Sequence, residues 1–404
     1  MAYLGVLPLP GTIAANGLPK VSETLLRQYE QADASLHVDA ITFRSDFKEE
    51  RSERRGNVTY HYLPCKSHGK ALTFYLGEIA QLRKRLRGMD VDVVHGQPGP
   101  DFMLAAVTCG LPHVITIHGL PGQEASMLSW RRLGQRAMAT SRELLHRQAI
   151  RRTANIISIS PYVEDYIRPW VRGRVWSIAN PIDQQFFEIA PPDRSGLRII
   201  CVGSVAERKN QQLLVRACAE LARRGADFEC RLIGPCPAGS PVRELIESLE
   251  LTNRVTVVGV VSQEALLDHY SWCNVVALPS RGETSPLSLI QAMAGGRCVF
   301  GAEAAGIPAL LHDGEFGSLF SPDDPEQLSG QLLDFGQRPD CYWEKAARAA
   351  DYARNTFRAD GIAQKTLELY RQIAATSSQR GQVKADGQLE LNRAATAIGM
   401  RETW

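Results

Sequence analysis

Along this chain, short apolar runs alternate with helical stretches. The alternating pattern occurs twice, once in each half of the chain. In the first half, the runs that indicate strands are residues 2–10, 37–43, 90–96, 113–120, 154–160 and 175–181. The helical stretches between them include residues 21–32 and 71–88. Such alternation predicts a parallel sheet with helices on its faces. Ligands of such folds bind beyond the carboxyl ends of the strands, where His95 and His118 both fall.

A second alternating half follows a linker marked by proline and glycine near residues 190–196. Its strand-like runs are residues 197–204, 228–235, 254–259 and 274–279, and its helical stretches are residues 211–225, 242–250 and 264–270. A length of 404 residues with 44% hydrophobic content allows two domains, each with its own core. The sequence therefore predicts two doubly wound α/β domains.

Composition and termini narrow the class of protein. The net charge of +2 gives no indication of nucleic-acid binding, so we expect no nucleic-acid partner. Residues 1–10 lack the basic start and long apolar run of a signal peptide, and no stretch reaches the ~18 apolar residues of a membrane span. The nine cysteines have no metal-type spacing, which predicts reduced thiols without a zinc site or a disulfide. We therefore expect a soluble, cytoplasmic protein.

A capped helix is predicted after the last apolar run of the second half. Ser285 has the side-chain oxygen of an N-cap, Pro286 suits the first helical position, and the glycine pair 295–296 ends the helix. A helix that starts after a strand and a tight loop presents unpaired backbone N–H groups, which suit a phosphate. Glu283 and Gln291 are polar residues in an otherwise apolar stretch. Both could face a cleft; equally, Glu283 could be solvated while Gln291 caps a loop.

Residues 279–328 resemble the donor-site region of the retaining, GT-B-fold glycosyltransferases of family 4. The family pattern is Pro-Ser, a Glu, seven residues, a second Glu and Ala-Met-Ala-Gly, followed by Gly-Ile-Pro and Asp-Gly-x-x-Gly. The resemblance implies two facing Rossmann-like domains, with a C-terminal helix that crosses back to the first domain. The donor-site residues that it implies are Glu283, which holds the sugar as a catalytic residue, and Thr284, Ser285, Leu287 and Gln291.

Two segments of the first half carry the same resemblance. The loop of residues 10–20 has glycines at positions 11 and 17 and resembles the family's N-terminal loop, which implies a donor-binding role for Gly17. His118 matches the family histidine that contacts the donor sugar, which implies a catalytic role. Without the resemblance, a histidine at a strand end is more often a hydrogen-bonded structural group.

In the second half, residues 201–217 resemble the segment whose Arg and Lys clamp the donor diphosphate. Lys209 matches the Lys and Arg208 adjoins it; a basic pair at a helix start could also be a solvated turn. Gly234 falls in a loop whose backbone would contact the donor nucleotide.

The chain departs from the family pattern at three positions. Ser204 replaces the Arg, Gln291 replaces the second Glu, and Pro286 stands where the family often has Gly. The first two changes offset each other in charge, and Gln can still hold two ribose hydroxyls without charge assistance. The fold prediction is unaffected, while nucleotide affinity becomes the property in question.

The predicted boundaries are residues 1–190 for an acceptor domain, 197–340 for a donor domain, 341–375 for helices that return to the first domain, and 376–404 for a mobile tail. Residues 126–152 carry seven arginines with Trp130, Leu128, Leu133 and Met138 interleaved at helical spacing. This pattern suits a peripheral helix on the inner, anionic face of a membrane, and equally an ordinary packed surface helix.

The resemblance implies a glycosyltransferase that moves a sugar from a UDP- or GDP-sugar to a glycan or lipid-linked acceptor. Its cations and helix N–H groups would stabilise the leaving diphosphate, so that no metal or other cofactor is required. Asp90 and Asp92 have the Asp-x-Asp spacing of metal-dependent glycosyltransferases of another fold, but they start an apolar strand, and we interpret them as structural. A non-catalytic binding scaffold and a sugar-nucleotide epimerase of similar architecture stay open as alternatives.

Overall fold

The computed structural model describes residues 1–7, 17–32, 35–66, 73–127 and 133–377. These residues form two α/β domains, each built on one sheet. The predicted two-domain, doubly wound architecture is confirmed.

Eight strands form the first sheet, in the order β3-β4-β2-β1-β5-β6-β7-β8. They are β1 (Ala2–Leu4), β2 (Val38–Arg44), β3 (Arg51–Arg55), β4 (Val58–Pro64), β5 (Val94–Gly96), β6 (His113–Ile117), β7 (Asn155–Ser158) and β8 (Arg174–Ser177). All neighbours are parallel except β3 and β4, which form an antiparallel hairpin at one edge. The helices are α1 (Gly17–Glu30), α2 (Leu76–Arg87), α3 (Pro100–Thr108), α4 (Pro121–Met127), α5 (Leu133–Arg152) and α6 (Pro161–Ile167).

Both faces of this first sheet are buried. Tyr3 and Leu4 are consecutive residues of β1, yet they belong to two different apolar clusters. Successive side chains of a strand point to opposite faces, so each cluster is the core on one side of the sheet. This explains why the strands appear in the sequence as continuous apolar runs and not as alternating ones.

Six parallel strands form the second sheet, in the order β11-β10-β9-β12-β13-β14. They are β9 (Arg198–Val202), β10 (Glu229–Ile233), β11 (Val255–Gly259), β12 (Val275–Leu278), β13 (Cys298–Ala302) and β14 (Ser318–Phe320). The helices are α7 (Gln211–Arg223), α8 (Pro241–Ser248), α9 (Gln263–Trp272), α10 (Leu287–Ala294), α11 (Ile307–Leu310), α12 (Pro325–Gln337) and α13 (Asp340–Thr356). All nine cysteines of the chain are free, and burial raises the pKa of the Cys201 thiol to about 12.

Two local predictions in the first domain need correction, and one element of this domain was not predicted. The first strand ends at Leu4 and not at residue 10. The helix predicted from residue 71 begins at Leu76, because Phe74 and Tyr75 before it both have positive φ angles, which a right-handed helix cannot contain. The first strand of the β3–β4 hairpin has no apolar signature in the sequence, since the β3 segment is charged and exposed at the sheet edge.

The two helices after α12 pack on different domains. Trp343, Ala346 and Ala353 of α13 belong to the core of the second domain. A further helix over residues 359–377, here α14, places Ile362 and Tyr370 in the core of the first domain. The predicted return to the first domain over residues 341–375 therefore begins only at α14. The predicted mobile tail lies, from residue 378 onward, outside the described residues.

Candidate active site

Each sheet reverses its strand order at one point, and several of the residues that the sequence singled out lie at these two points. In the second sheet the reversal lies between β9 and β12, whose following loops carry Lys209 and Glu283 respectively. In the first sheet it lies between β1 and β5, and His95 belongs to β5. The crevice outside the carboxyl ends of the strands at such a switch point is where open α/β sheets bind ligands.

Three donors converge on one carboxylate oxygen of Glu283. Lys209 Nζ lies 2.5 Å from Glu283 Oε1. Ser280 Oγ donates to the same oxygen over 2.9 Å and Arg208 Nη1 over 3.1 Å. The side chains of Glu283 and Lys209 retain exposed fractions of 12% and 15%, so their ion pair is largely withdrawn from solvent. Two cations share one carboxylate, which leaves the cluster with a net positive charge.

Backbone contacts hold the two loops of this cluster together. The Arg281 N–H donates to the Arg208 carbonyl over 2.9 Å, and the Gly306 N–H donates to the Glu283 carbonyl over 2.7 Å. Gly306 has to be glycine, because a Cβ there would lie 2.3 Å from the Thr284 carbonyl oxygen. The geometry of the Glu283 loop is therefore fixed by the strand ends around it.

The Glu283 loop also contacts the first domain. Thr284 Oγ1 donates to the His118 carbonyl over 2.6 Å, and Ser160 Oγ donates to the Thr284 carbonyl over 2.8 Å. Ser160 is the N-cap of α6 and His118 directly follows β6. Predicted residues from the two halves of the chain thus meet at one interdomain cleft.

His118 is buried, and its ring lies beside polar groups of neighbouring strands. Its Nε2 lies 2.8 Å from Gln97 Oε1, and its Nδ1 is also buried. Burial lowers the pKa of His118 to about 4, against the smaller, opposite effect of a side-chain hydrogen bond with Asn180. His118 is therefore a neutral imidazole near neutral pH.

The predicted N-cap of α10 is wrong. The helix begins at Leu287, with Pro286 at the cap position and without a side-chain capping bond, so Ser285 does not cap it. Pro286 is extended, and its carbonyl accepts from the N–H groups of Leu289 and Ile290. At the other end the predicted glycine stop is confirmed, since Gly295 is the C-cap and Gly296 has a φ of 71°.

Gln291 is buried on α10 and bonds inward. Its Oε1 accepts from the hydroxyl of Tyr270 over 3.1 Å, and the same hydroxyl donates to the Ser288 carbonyl over 2.9 Å. Ser285 is also buried, and Leu287 is partly buried. The donor-binding roles of these residues stay predictions.

The remaining predicted positions lie in two glycine segments. Gly234 follows β10 with a φ of 134°, and a Cβ there would lie 2.4 Å from the Gly203 carbonyl oxygen. Only glycine lets the two strand ends pass so closely. Gly17 is the first residue of α1, and the loop before it, with Gly11, lies outside the described residues.

The structure adds Ser280, Gln97 and Asn180 to the site. Gln97 and Asn180 are buried polar residues just beyond the ends of β5 and β8, and Ser280 follows β12. A polar residue directly after an apolar run was the signal that could have identified Gln97 and Ser280, whereas Asn180 lies inside the run 175–181. Ser280 belongs to the Pro-Ser pair of the family pattern but was given no role of its own, and Gln97 and Asn180 were not among the residues that the resemblance implied.

Asp90 and Asp92 lie away from this cleft. They precede β5 near the amino group of Met1, at the amino ends of the strands, as their structural interpretation expects. Within the described ranges, no group of three or more His, Cys, Asp or Glu residues could hold a metal ion. Among the described helices, none combines the length and the apolar character that a membrane span requires.

The basic segment 126–152 forms parts of α4 and α5. Residues 128–132, with Arg131, Arg132, Leu128 and Trp130, lie outside the described part of the chain. On α5, Arg147 is an ordinary packed residue, since it donates to Glu143 over 2.8 Å and stacks 4.2 Å over the ring of Trp170.

Solved structures share this fold over nearly the whole chain. A sucrose-phosphate synthase from Thermosynechococcus elongatus superposes with a TM-score of 0.75 at 20% identity, covering 93% of this chain and 99% of that one. The Anabaena protein HepE, in complex with UDP and glucose, superposes with a TM-score of 0.68 at 16% identity, covering 91% and 98%. Both likenesses establish the GT-B fold.

Sequence relatives are glycosyltransferases. The alpha-D-kanosaminyltransferase of Streptomyces kanamyceticus is 25% identical over 241 residues, which are 56% of this chain and 62% of the relative. The D-inositol 3-phosphate glycosyltransferase of Rhodococcus erythropolis is 31% identical over 189 residues, 45% of this chain and 42% of the relative. In both matches the chain covers less than two thirds of the relative's own length.

Family descriptions match both domains. Residues 15–186 match Glycosyltransferase Family 4, and residues 196–337 match Glycosyl transferases group 1. The first match contains β2–β8 but not β1, and the second contains β9–β14 together with the whole cluster around Glu283. The chain belongs to the family 4, group 1 glycosyltransferases of GT-B fold.

Proposed function

We propose that this glycosyltransferase is retaining and transfers a sugar from a nucleotide-diphosphate sugar, a UDP- or GDP-sugar, to a hydroxyl of a glycan or lipid-linked acceptor. The observation that carries the proposal is the convergence of Arg208 and Lys209 on Glu283 at the switch point of the second sheet. The proposal of retention rests on the resemblance of residues 279–328 to the retaining enzymes of the family.

The cluster suits a diphosphate because it is cationic before a ligand arrives. One carboxylate oxygen cannot neutralise both Arg208 and Lys209, so a diphosphate can take up the remaining positive charge. Charge-assisted hydrogen bonds of this kind are about twice as strong as neutral ones. As the sugar–phosphate bond breaks, negative charge grows on the leaving oxygen, and fixed cations stabilise it most at that stage.

The sugar would lie between the cluster and His118. Thr284 follows Glu283 in the chain and bonds to the carbonyl of His118, so both predicted catalytic residues flank the same cleft. Glu283 can accept hydrogen bonds from hydroxyl groups of the sugar. The neutral ring of His118 can donate or accept a hydrogen bond without adding charge. Their task is to hold the sugar in position for attack by the acceptor hydroxyl.

We propose that no metal ion takes part, since Arg208 and Lys209 can supply the positive charge that a metal would bring to the diphosphate. A thermal-shift panel of UDP- and GDP-sugars, with an ADP-sugar for comparison, should show binding of one donor. Transfer from that donor should continue in excess chelator, and NMR of the product should show an unchanged anomeric configuration. Inversion, or loss of activity that manganese restores, would contradict the corresponding part of the proposal.

We also propose that α5 contacts an anionic membrane surface during action on a lipid-linked acceptor. Leu144, with an exposed fraction of 55%, lies seven residues before the exposed Arg151, which places both on one face of the helix. The protein should sediment with vesicles of phosphatidylglycerol but not with vesicles of phosphatidylcholine. The double variant Leu144→Gln/Arg151→Gln should no longer sediment with the phosphatidylglycerol vesicles. Equal sedimentation of the variant would assign α5 to the ordinary protein surface.

A further inference from the structure

The buried carboxylate of Glu143 on α5 receives three hydrogen-bond donors. The Gly122 N–H donates to Glu143 Oε2 over 3.0 Å. The other oxygen, Oε1, accepts from Arg147 Nε over 2.8 Å and from the Tyr166 hydroxyl over 3.2 Å. The Glu143 side chain retains an exposed fraction of 7%. Because both oxygens have donors and the group is shielded from water, the carboxylate is held in one orientation.

The bond to Gly122 lies close to His118 in the chain. Residues 118–120 connect β6 to α4, and Gly122 is the second residue of α4. The N–H groups in the first turn of a helix have no acceptor inside that helix, so Glu143 supplies one from α5. The fit is close, since a Cβ on Gly122 would lie 2.8 Å from the Tyr166 hydroxyl oxygen and 2.9 Å from Glu143 Cδ. The carboxylate therefore fixes the end of the connection that begins at His118.

Through Tyr166, Glu143 also holds α6. Ser160, the N-cap of α6, donates to the Thr284 carbonyl over 2.8 Å. Thr284 Oγ1 in turn donates to the His118 carbonyl over 2.6 Å. These two segments of the first domain, which both bond to Thr284, are thus the two that Glu143 joins.

The placement of these segments sets the distance between the two predicted catalytic residues, because Thr284 directly follows Glu283. A displacement of about 1 Å at a reacting group can lower a rate by about 10²-fold. The described hydrogen bonds of Glu143 go to Gly122, Arg147 and Tyr166, which are not predicted donor-site residues. Any effect of Glu143 on the reaction is therefore indirect.

We infer that Glu143 is a positioning residue, which holds residues 118–122 and α6 where both segments bond to Thr284 and thereby places His118 opposite Glu283. The inference rests on the proposed function for the reaction that is affected, but not for the contacts of Glu143. Its effect belongs to the arrangement of the sugar and not to the binding of the diphosphate, which is assigned to the second domain.

Amide hydrogen exchange of the free protein, followed by NMR, tests the contact without any substrate. In the wild type the Gly122 N–H should exchange at least about tenfold more slowly than an open amide, since one hydrogen bond protects it. Glu143→Met removes both oxygens, so this protection should be lost, whereas Glu143→Gln retains an acceptor oxygen and should keep it. Arg147→Met is the matched control, because it breaks the Glu143–Arg147 ion pair from the other side and leaves the Gly122 bond in place.

Turnover with the identified donor supplies the second measurement. Glu143→Met should lower kcat about tenfold, the effect of about one hydrogen bond, and Gly122→Ala should do the same because its Cβ displaces the carboxylate. Glu143→Gln and Arg147→Met should change kcat less than about threefold. The Kd of the nucleoside diphosphate should stay within about twofold of the wild-type value in every variant. Gly134→Ala on α5 is the control for the glycine substitution, because a Cβ there meets nothing within 4 Å.

A Gly122 amide that exchanges freely in the wild type would overturn the inference even if Glu143→Met did not fold. An equal loss of kcat in Glu143→Met and Arg147→Met would also overturn it, because the ion pair would then act through stability alone. A loss that appears only as a weaker Kd of the diphosphate would overturn it as well. If no nucleotide sugar binds to the wild-type protein, the proposed function is what fails, and the exchange measurement still decides whether Glu143 holds Gly122.

Discussion

Lys209 Nζ lies 2.5 Å from Glu283 Oε1, although the two residues are 74 positions apart and follow different strands. These strands, β9 and β12, are neighbours at the point where the second sheet reverses its order. A parallel sheet places the carboxyl ends of its strands at one edge, so the topology alone brings the two charges together. The ion pair therefore marks the crevice in which the donor should bind.

Replacing Glu283 should separate activity from folding. Glu283→Ala removes the acceptor proposed for the sugar, and Glu283→Gln keeps the shape but removes the charge. Both should lower kcat/KM by about 10²-fold or more, the range found when one preorganised electrostatic group is lost. Both variants should unfold cooperatively, because Glu283 lies at the cleft outside the apolar core.

The matched control for Glu283 is Asp323→Asn. Asp323 is 72% exposed, forms an ion pair with Arg281 in a nearby loop, and makes no contact with Glu283 or Lys209 among those described. An exposed pair of this kind contributes little, so turnover should not change. Near-normal turnover of Glu283→Ala with the correct donor would show that Glu283 does not hold the donor sugar in the active site.

Removing both cations should weaken donor binding. In Lys209→Met/Arg208→Met the diphosphate loses charged hydrogen bonds worth roughly 1.5–3 kcal/mol each, so the donor Kd should rise by about 10²-fold or more. Titration calorimetry with the nucleoside diphosphate alone would isolate this effect from contacts to the sugar. The control is Arg216→Gln, which removes an exposed cation on α7. An unchanged donor Kd in the double variant would show that Arg208 and Lys209 do not bind the diphosphate.

The sequence was sufficient to predict the two sheets and the loops that carry charge. Continuous apolar runs identify strands buried on both faces, and residues that follow them closely, such as Glu283 and His118, lie beyond the carboxyl ends of the strands. It was not sufficient for the cap of α10. Ser285 is a better N-cap than Pro286 by residue type, but the loop contacts to Gly306 and to His118 set the backbone there. Tertiary contacts outweigh local propensity at this point.

The buried contacts that join Gln97, His95 and Tyr370 could not be read from the sequence for a different reason. Gln97 Nε2 lies 3.0 Å from His95 Nε2, and His95 Nδ1 lies 2.5 Å from the hydroxyl oxygen of Tyr370. Tyr370 is 275 residues from His95, and its position depends on how α14 crosses from the second domain to the first. A tyrosine in a C-terminal helix appears as an ordinary apolar position. Only the packed structure shows that its hydroxyl meets a buried imidazole.

Gly234 should be intolerant of any side chain. Gly234→Ala places a Cβ 2.4 Å from the Gly203 carbonyl oxygen at a φ of 134°, so it should lower the free energy of unfolding by about 1–3 kcal/mol or more. Gly239→Ala in the same loop is the control, because a Cβ there meets nothing within 4 Å. Urea unfolding of the two variants compares them directly. Equal stability would show that the two strand ends can move apart.

Stability should fall as the pH is lowered below about 6.5. Burial lowers the folded-state pKa of His95 to about 3 and of His118 and His146 to about 4, below the unfolded value of about 6.5. Between these values the unfolded chain binds protons that the folded chain does not. The free energy of unfolding therefore decreases with falling pH, by up to about 1.4 kcal/mol per pH unit for each histidine.

Urea unfolding at pH 7.5, 6.0 and 5.0 would measure this slope. His146 on α5 is the histidine to remove, because it lies outside the proposed donor site; Glu143 and Arg142 of the same helix act on it with opposite sign. His146→Gln should reduce the pH dependence without affecting donor binding. A stability that rises on acidification between pH 7.5 and 5.0 would contradict the buried, neutral state of these rings.

The last prediction concerns the two charge changes relative to the family pattern. Ser204 is exposed just after β9, and a Cβ on the preceding Gly203 would lie 3.6 Å from Lys209 Nζ, whereas Gln291 is buried on α10. If the missing cation at Ser204 is what makes Gln291 tolerable, then Gln291→Glu alone adds an unbalanced negative charge near the diphosphate and weakens donor binding. The new carboxylate can still accept from Tyr270, so the fold should be retained. Adding Ser204→Arg should restore affinity, since charges about 8 Å apart at an effective dielectric constant near 20 interact by roughly 2 kcal/mol. A double-mutant cycle on the donor Kd measures this coupling. Strict additivity, or tighter binding by Gln291→Glu alone, would falsify the compensation and leave Gln291 as a simple weakening of the ribose contact.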